Sequence, residues 1–193
     1  MEISTEKSQI LVNSNAESNT SITVGNEKLK EVTTFKYLGV TLSKDGTSTV
    51  EIRKRIAMAT SVMTQLAKIW KSSMSLIVKV KLYKSLVLST LLYGCEAWTL
   101  TVDAQRRIRA FESKCYRRLL RVSYTEHRKN EDVLEEIEAR AGPQEPLLVT
   151  VKRRKLSWFG HHTRHDSLSR TVLHGTVEGN AEEGAKGRCG WKI

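Results

Sequence analysis

The sequence predicts an α+β fold that is mostly α: short N-terminal antiparallel strands, including a hairpin, followed by a basic helical bundle. Up to residue 48 the apolar residues fall in short runs broken by turn residues. Beyond that point they recur at helical spacing, as in Ile52, Ile56, Ala59, Met63, Leu66 and Trp70, at intervals of four and three. Charge changes at the same place. Residues 1–50 carry five Lys against six acids, whereas the rest of the 193 residues hold 27 basic and 15 acidic residues, a net of +12.

The elements follow in order. Ser8 to Val12 reads as a short buried strand and Asn13 to Thr20 as a polar linker. Ile22-Thr23-Val24, the turn pair Gly25-Asn26, and Leu29 to Val32 predict a hairpin. A single strand is expected from Thr33 to Leu42, on the β-formers Phe35, Tyr37, Leu38, Val40 and Leu42. Lys44-Asp45-Gly46 turns the chain, and Thr47-Ser48-Thr49 offers N-cap hydroxyls. One amphipathic helix then runs from Ile52 to about Lys71. A second, from Leu76 to Tyr93, is apolar nearly all round from Leu86 onward, which predicts burial on most sides; Gly94 suits a C′ position.

A third helix, Asp103 to Val122, sets Ile108, Phe111, Cys115 and Leu119 on one face, with Asp103 and Arg117, Arg118 and Arg121 placed to suit its dipole. A short acidic helix, Glu131 to Arg140, ends at the Gly142-Pro143 linker. A fourth, basic helix spans Leu147 to Arg164. From Gly175 onward the chain is Gly-rich, weakly patterned and expected to be disordered. The divisions are residues 1–48, 49–142, 147–174 and 175–193.

Several function classes are excluded. Cys95, Cys115 and Cys189 form no C-x-x-C pair, so neither a disulfide framework nor a zinc spacing is present, which suits a reducing compartment. Met1 to Gln9 is polar, and the longest apolar run, Leu86 to Tyr93, is far too short to span a bilayer. The expectation is an intracellular protein, nuclear or cytoplasmic, with no membrane partner. The four Asp (Asp45, Asp103, Asp132, Asp166) lie far apart, and none belongs to a Tyr-X-Asp-Asp turn. Metal-dependent polymerases need neighbouring carboxylates to hold two divalent ions. The pairs Glu135-Glu136 and Glu182-Glu183 read as solvated charge. His161, His162, His165 and Cys189 make a poor metal set, because adjacent helical His diverge by ~100°. Cys95 and Cys115 read as packing residues, as do Trp70 and Trp98. No catalytic and no metal-ligating residue is assigned.

The basic residues carry more information. Arg107, Lys114, Arg118 and Arg121 recur at intervals of 7, 4 and 3 as a stripe beside the apolar face of the third helix, flanked by Arg106, Arg109 and Arg117. Lys152, Arg153, Arg154 and Lys155 lie just before Trp158 and Phe159, whose rings could stack on bases. Arg53, Lys54 and Arg55 form a further cluster. Together they point to a polyanionic partner.

Several runs resemble the reverse transcriptases of LINE-type (non-LTR) retrotransposons. Phe35-Lys36-Tyr37-Leu38-Gly39-Val40 is similar to the family's primer-grip hairpin, and Ile52 to Trp70 to its first thumb helix. Leu82-Tyr83-Lys84, Leu91-Leu92-Tyr93-Gly94 and Glu96-Ala97-Trp98 are similar to the next helix and loop. Phe111-Glu112 with Cys115-Tyr116-Arg117-Arg118 is similar to the basic helix after them, and Arg153 to His161 to a further family signature. The similarity covers roughly residues 1–180; past Asn180 the run Ala181-Glu182-Glu183-Gly184 departs from it in the manner of a shifted reading frame.

The resemblance implies the end of a palm, a thumb and the following helices, with the catalytic aspartates upstream of Met1. On that basis Phe35, Lys36, Tyr37, Leu38 and Gly39 would sit against a primer terminus, and the basic helices would lie along RNA, an RNA–DNA hybrid or a DNA duplex without reading sequence. No cofactor is expected in this chain, Mg2+ belonging to the complete polymerase, whose palm and fingers another chain would have to supply. The alternative expectation is a helical interaction or scaffold protein co-opted from such an element, or a non-functional remnant of one.

Overall fold

The computed structural model describes residues 8–12, 22–24 and 27–164. It is mostly helical, with short strands preceding a helical bundle, as the sequence predicts. The linker at Asn13 to Thr20, the Gly25-Asn26 turn, His165, Cys189 and the 175–193 tail lie outside the described residues.

Six two- to four-residue strands pair in twos among the described residues. β1 (Gln9–Ile10) pairs with β4 (Lys30–Glu31) in parallel, not antiparallel as expected. β2 (Thr23–Val24) and β3 (Glu27–Lys28) form the antiparallel hairpin, so the run Leu29 to Val32 is not its second strand. A second correction concerns Thr33 to Leu42. This is no single strand but a hairpin of β5 (Thr34–Tyr37) and β6 (Val40–Ser43), in register Thr34↔Ser43 to Tyr37↔Val40. The chain reverses at Leu38 (φ 47°) and Gly39 (φ 82°). Two positive φ values in a two-residue loop match the twist of a hairpin. Leucine is not a turn former, so strand propensity runs through the reversal; Gly39 is its local signal, and a hairpin here is what the family resemblance implies.

The helix expected from Ile52 to Lys71 is two: α1 (Thr49–Gln65) and α2 (Ala67–Lys71), separated by Leu66. No Gly or Pro marks the break, and the apolar spacing runs through it. Trp70 is buried and donates its indole N–H to the Met63 carbonyl at 2.8 Å, closing the bend. Ser48 does not cap α1 through its side chain. Its hydroxyl instead donates to the Ala97 carbonyl and accepts the Thr99 N–H at 3.0 Å, which ties the start of α1 to a distant loop.

The second predicted helix is continuous but contains a π-helical turn: α3 (Leu76–Leu82), π turn (Tyr83–Leu88) and α4 (Ser89–Leu91). Val87, Leu91 and Leu92 are buried, yet Leu86 and Tyr93 are 42% and 51% exposed, against the expectation of burial on most sides. Gly94 takes the left-handed conformation (φ 69°) past the helix end. α5 (Val102–Leu120), α6 (Asn130–Ala141) and α7 (Leu147–Arg164) follow the predicted spans closely. The side chain of Thr101 caps α5 by accepting the Ala104 N–H.

One hydrophobic cluster joins all the long helices. It runs from Ile52 and Met63 through Trp70, Tyr83, Trp98, Ile108, Phe111 and Ile137 to Leu147 and Val151. Each large aliphatic side chain buried there contributes about 1.5–3 kcal/mol. Cys95, Cys115, Trp70 and Trp98 are packing residues in it, and both cysteines are free thiols.

Candidate nucleic-acid interface

The β5–β6 hairpin is fixed to the bundle by a buried polar network. The carboxylate of Glu51 is fully buried; it accepts the Thr41 N–H at 2.8 Å and pairs with Arg55 Nε at 2.6 Å. Burial pushes the Glu51 pKa up, but the hydrogen bonds from Arg55 and Thr41 outweigh this and hold it below the usual range. Arg55 Nη2 donates to the Gly39 carbonyl at 2.8 Å, and the guanidinium lies 4.5 Å from the centroid of the Tyr93 ring. The Tyr93 hydroxyl in turn donates to the Leu38 carbonyl at 2.9 Å. Both carbonyls of the turn are thereby held, and the tip presents Tyr37 and Leu38, which are 58% and 74% exposed. Lys36 is exposed, while Phe35 and Gly39 are half-buried.

Arg55, grouped with Arg53 and Lys54 as a polyanion contact in the sequence, is committed to this internal network. The Glu51–Arg55 spacing of four residues on one helix was the available signal. Lys54 also serves the hairpin, donating to Thr41 Oγ1 at 3.2 Å.

Arg53 faces elsewhere. With Ile56, Ala57 and Thr60 of α1 it lines one wall of a depression of about 360 Å³, opposite Arg107, Ala110, Phe111 and Lys114 of α5. Ala110 and Lys114 also line a larger depression of about 900 Å³ formed with Ser113, Arg117, Arg118, Val122, His127, Arg128 and Asn130. The two make one trough along α5. Six Arg and Lys side chains line it and no carboxylate does. Several are held in place: Arg107 by Asp103 (2.6 Å), Arg118 by Thr64 Oγ1 (3.2 Å), Arg117 by Asn130 Oδ1 (2.9 Å) and Arg128 by Glu136 (2.7 Å). The hydrogen bonds from Arg106 and Arg107 lower the pKa of Asp103 to about 2, so it stays ionised.

Arg128 is a member the sequence reading missed, because it lies in an unpatterned connection between helices. Arg121 leaves the predicted stripe. It sits at the left-handed C-terminus of α5 (φ 61°) and donates to the carbonyls of Trp70, Lys71 and Ser72.

The basic run of α7 forms a separate surface. Lys152 is exposed, Arg153 pairs with Glu145 (2.8 Å), and Arg154 reaches the Leu92 carbonyl at 3.5 Å. Lys155 donates to the Trp98 carbonyl at 2.8 Å, and desolvation lowers its pKa. Farther along, Trp158 and Phe159 are 38% and 39% exposed, and the Trp158 ring lies 4.4 Å from that of His162. Among the described residues no group of three or more His, Cys, Asp or Glu is placed to hold a metal ion. No helix there is long and apolar enough to cross a membrane.

No family model matches the chain, and no solved structure matches it. It is 30% identical over 177 residues to a protein of Caenorhabditis elegans described as a "putative uncharacterized transposon-derived protein". That stretch covers 90% of this chain and 63% of the worm protein, so the chain spans less than two thirds of that relative's length. The similarity points to a transposon-related origin.

Proposed function

We propose that this chain is the palm-end and thumb portion of a LINE-type reverse transcriptase, and that it binds the backbone of a template–primer duplex without carrying the catalytic centre. The observation that supports this reading best is the trough along α5, where two depressions sharing Ala110 and Lys114 are lined by Arg53, Arg107, Lys114, Arg117, Arg118 and Arg128 and by no acid. Such a surface attracts phosphates and carries no base-reading pattern. The fixed hairpin tip, with exposed Lys36, Tyr37 and Leu38, offers a rigid edge for the primer end. The α7 cluster, with Trp158 and Phe159, adds a second contact surface where rings can stack on unpaired bases. Mg2+ and the catalytic carboxylates belong, in this reading, to the polymerase segment outside the chain.

The test is fluorescence anisotropy with an RNA–DNA hybrid over a salt series. Neutralising about four to six phosphates gives a log–log slope of about −3 to −5. Reversing the charges of Arg107, Arg118 and Arg154 together should abolish binding. A flat salt response, or binding unchanged in the triple variant, would overturn the reading.

A further inference from the structure

On a different part of the bundle, where the end of α2 meets α3, α5 and α6, Lys79, Arg121 and Arg140 converge on a pocket of about 260 Å³. We propose that this pocket is a binding site for a phosphate monoester dianion, either free or at the 5′ end of a nucleic acid. The reading stands on the pocket itself and does not depend on the trough along α5.

The pocket is built, and its geometry is specific. Lys79 is 5% exposed, unusual for a lysine, and its ammonium donates to the carbonyls of Trp70 (2.9 Å) and Ser72 (2.8 Å). Arg121 donates to the same two carbonyls and to that of Lys71. Two cations that share acceptors must lie side by side. Arg140 enters from α6, anchored through Nη1 to Glu136 at 2.9 Å. An ammonium has three donors and a guanidinium five, so these hydrogen bonds leave donor capacity on all three residues.

Capping α2 explains the two cations on the shared carbonyls; the third, Arg140, is placed at the pocket by its ion pair with Glu136, which does not line it. No carboxylate lines the pocket; Ser72, Met74, Leu76, Leu119 and Leu120 complete it. The consequence is visible at Lys79, whose pKa is lowered by desolvation and then by repulsion from Arg121 and Arg140. An anion placed among the three would relieve that repulsion. A dianion with several acceptor oxygens matches donors arriving from three directions, and guanidinium pairs suit phosphate geometry.

The experiment is titration of the full chain with inorganic phosphate, followed by 31P NMR and calorimetry against chloride at equal ionic strength. A parallel titration uses one oligonucleotide with and without a 5′-phosphate. Saturable phosphate binding, weakened about tenfold in Arg140→Gln, is the expected result, the loss of one charged hydrogen bond. Tighter binding of the phosphorylated oligonucleotide, lost in the same variant, assigns the site to a nucleic-acid end. Equal binding of phosphate by wild type and Arg140→Gln, or no saturable binding of either ligand, overturns the proposal. Arg140 is exposed, so its substitution leaves the fold intact; Lys79→Met serves as a second variant, read only if circular dichroism shows native helicity. The charge-reversed variant at Arg107, Arg118 and Arg154 retains phosphate binding here, which keeps failure of this site distinct from failure of the trough.

Discussion

The guanidinium of Arg55 spans from the second turn of α1 to the carbonyl of Gly39, 2.8 Å away at the tip of a hairpin sixteen residues earlier. Its other partner, the buried carboxylate of Glu51, also holds the hairpin through the Thr41 N–H. The exposed edge at Tyr37 and Leu38 is therefore held in place by a pair that is almost wholly buried.

Breaking that pair should be expensive. Glu51→Gln leaves the buried guanidinium of Arg55 without its counter-charge and is expected to cost about 3 kcal/mol, read as a lower urea midpoint. The pH dependence follows from the depressed pKa of Glu51. A carboxyl more acidic in the folded than in the unfolded state adds stability above the unfolded value of about 4.3, and that stability is lost as pH falls through the folded value. The variant should lose less stability than wild type between neutral and acid pH.

Gly94 is irreplaceable for two reasons. Its φ is 69°, and an added Cβ would lie 2.9 Å from Cγ2 of Val40 on the hairpin. Gly94→Ala should cost about 1–2 kcal/mol from backbone conformation alone, and more from the contact. Adding Val40→Ala should recover the contact part only. Denaturation of the single and double variants separates the two.

Lys114 stands where the two depressions of the trough meet. Lys114→Ala should weaken binding of all duplex sequences alike and flatten the salt slope by about one. A sequence-dependent loss would mean that the residue reads bases.

Burial pushes the thiol of Cys95 up to about 11 and that of Cys115 up to about 12. At pH 8 neither holds appreciable thiolate, so neither should react with iodoacetamide until the chain is unfolded. Peptide mapping after native and denatured labelling checks this. Rapid native labelling of Cys115 would contradict the packing of α5.

The sequence by itself determined the helices, because each buries one face and the 3.6-residue period leaves a direct trace: α5, α6 and α7 lie where Ile108, Ile137 and Val151 repeat. It determined the positive charge of the bundle and the packing roles of Trp70 and Trp98 for the same reason. Strand propensity alone ran through the reversal at Leu38 and Gly39, where the resemblance implied a hairpin, and nothing in the sequence showed the bend at Leu66, where the apolar spacing continues unbroken. Tertiary structure alone decided which cations face outward. Arg53 and Arg55 are neighbours in one basic run, yet a difference of about 200° around α1 sends one to the trough and the other to Glu51 and the hairpin. Arg128 joined the trough because Glu136 of the next helix offered an acceptor there, and Arg121 left it for the end of α2, some fifty residues earlier. Charge is written residue by residue; the direction in which it points is set by what the folded chain places beside it.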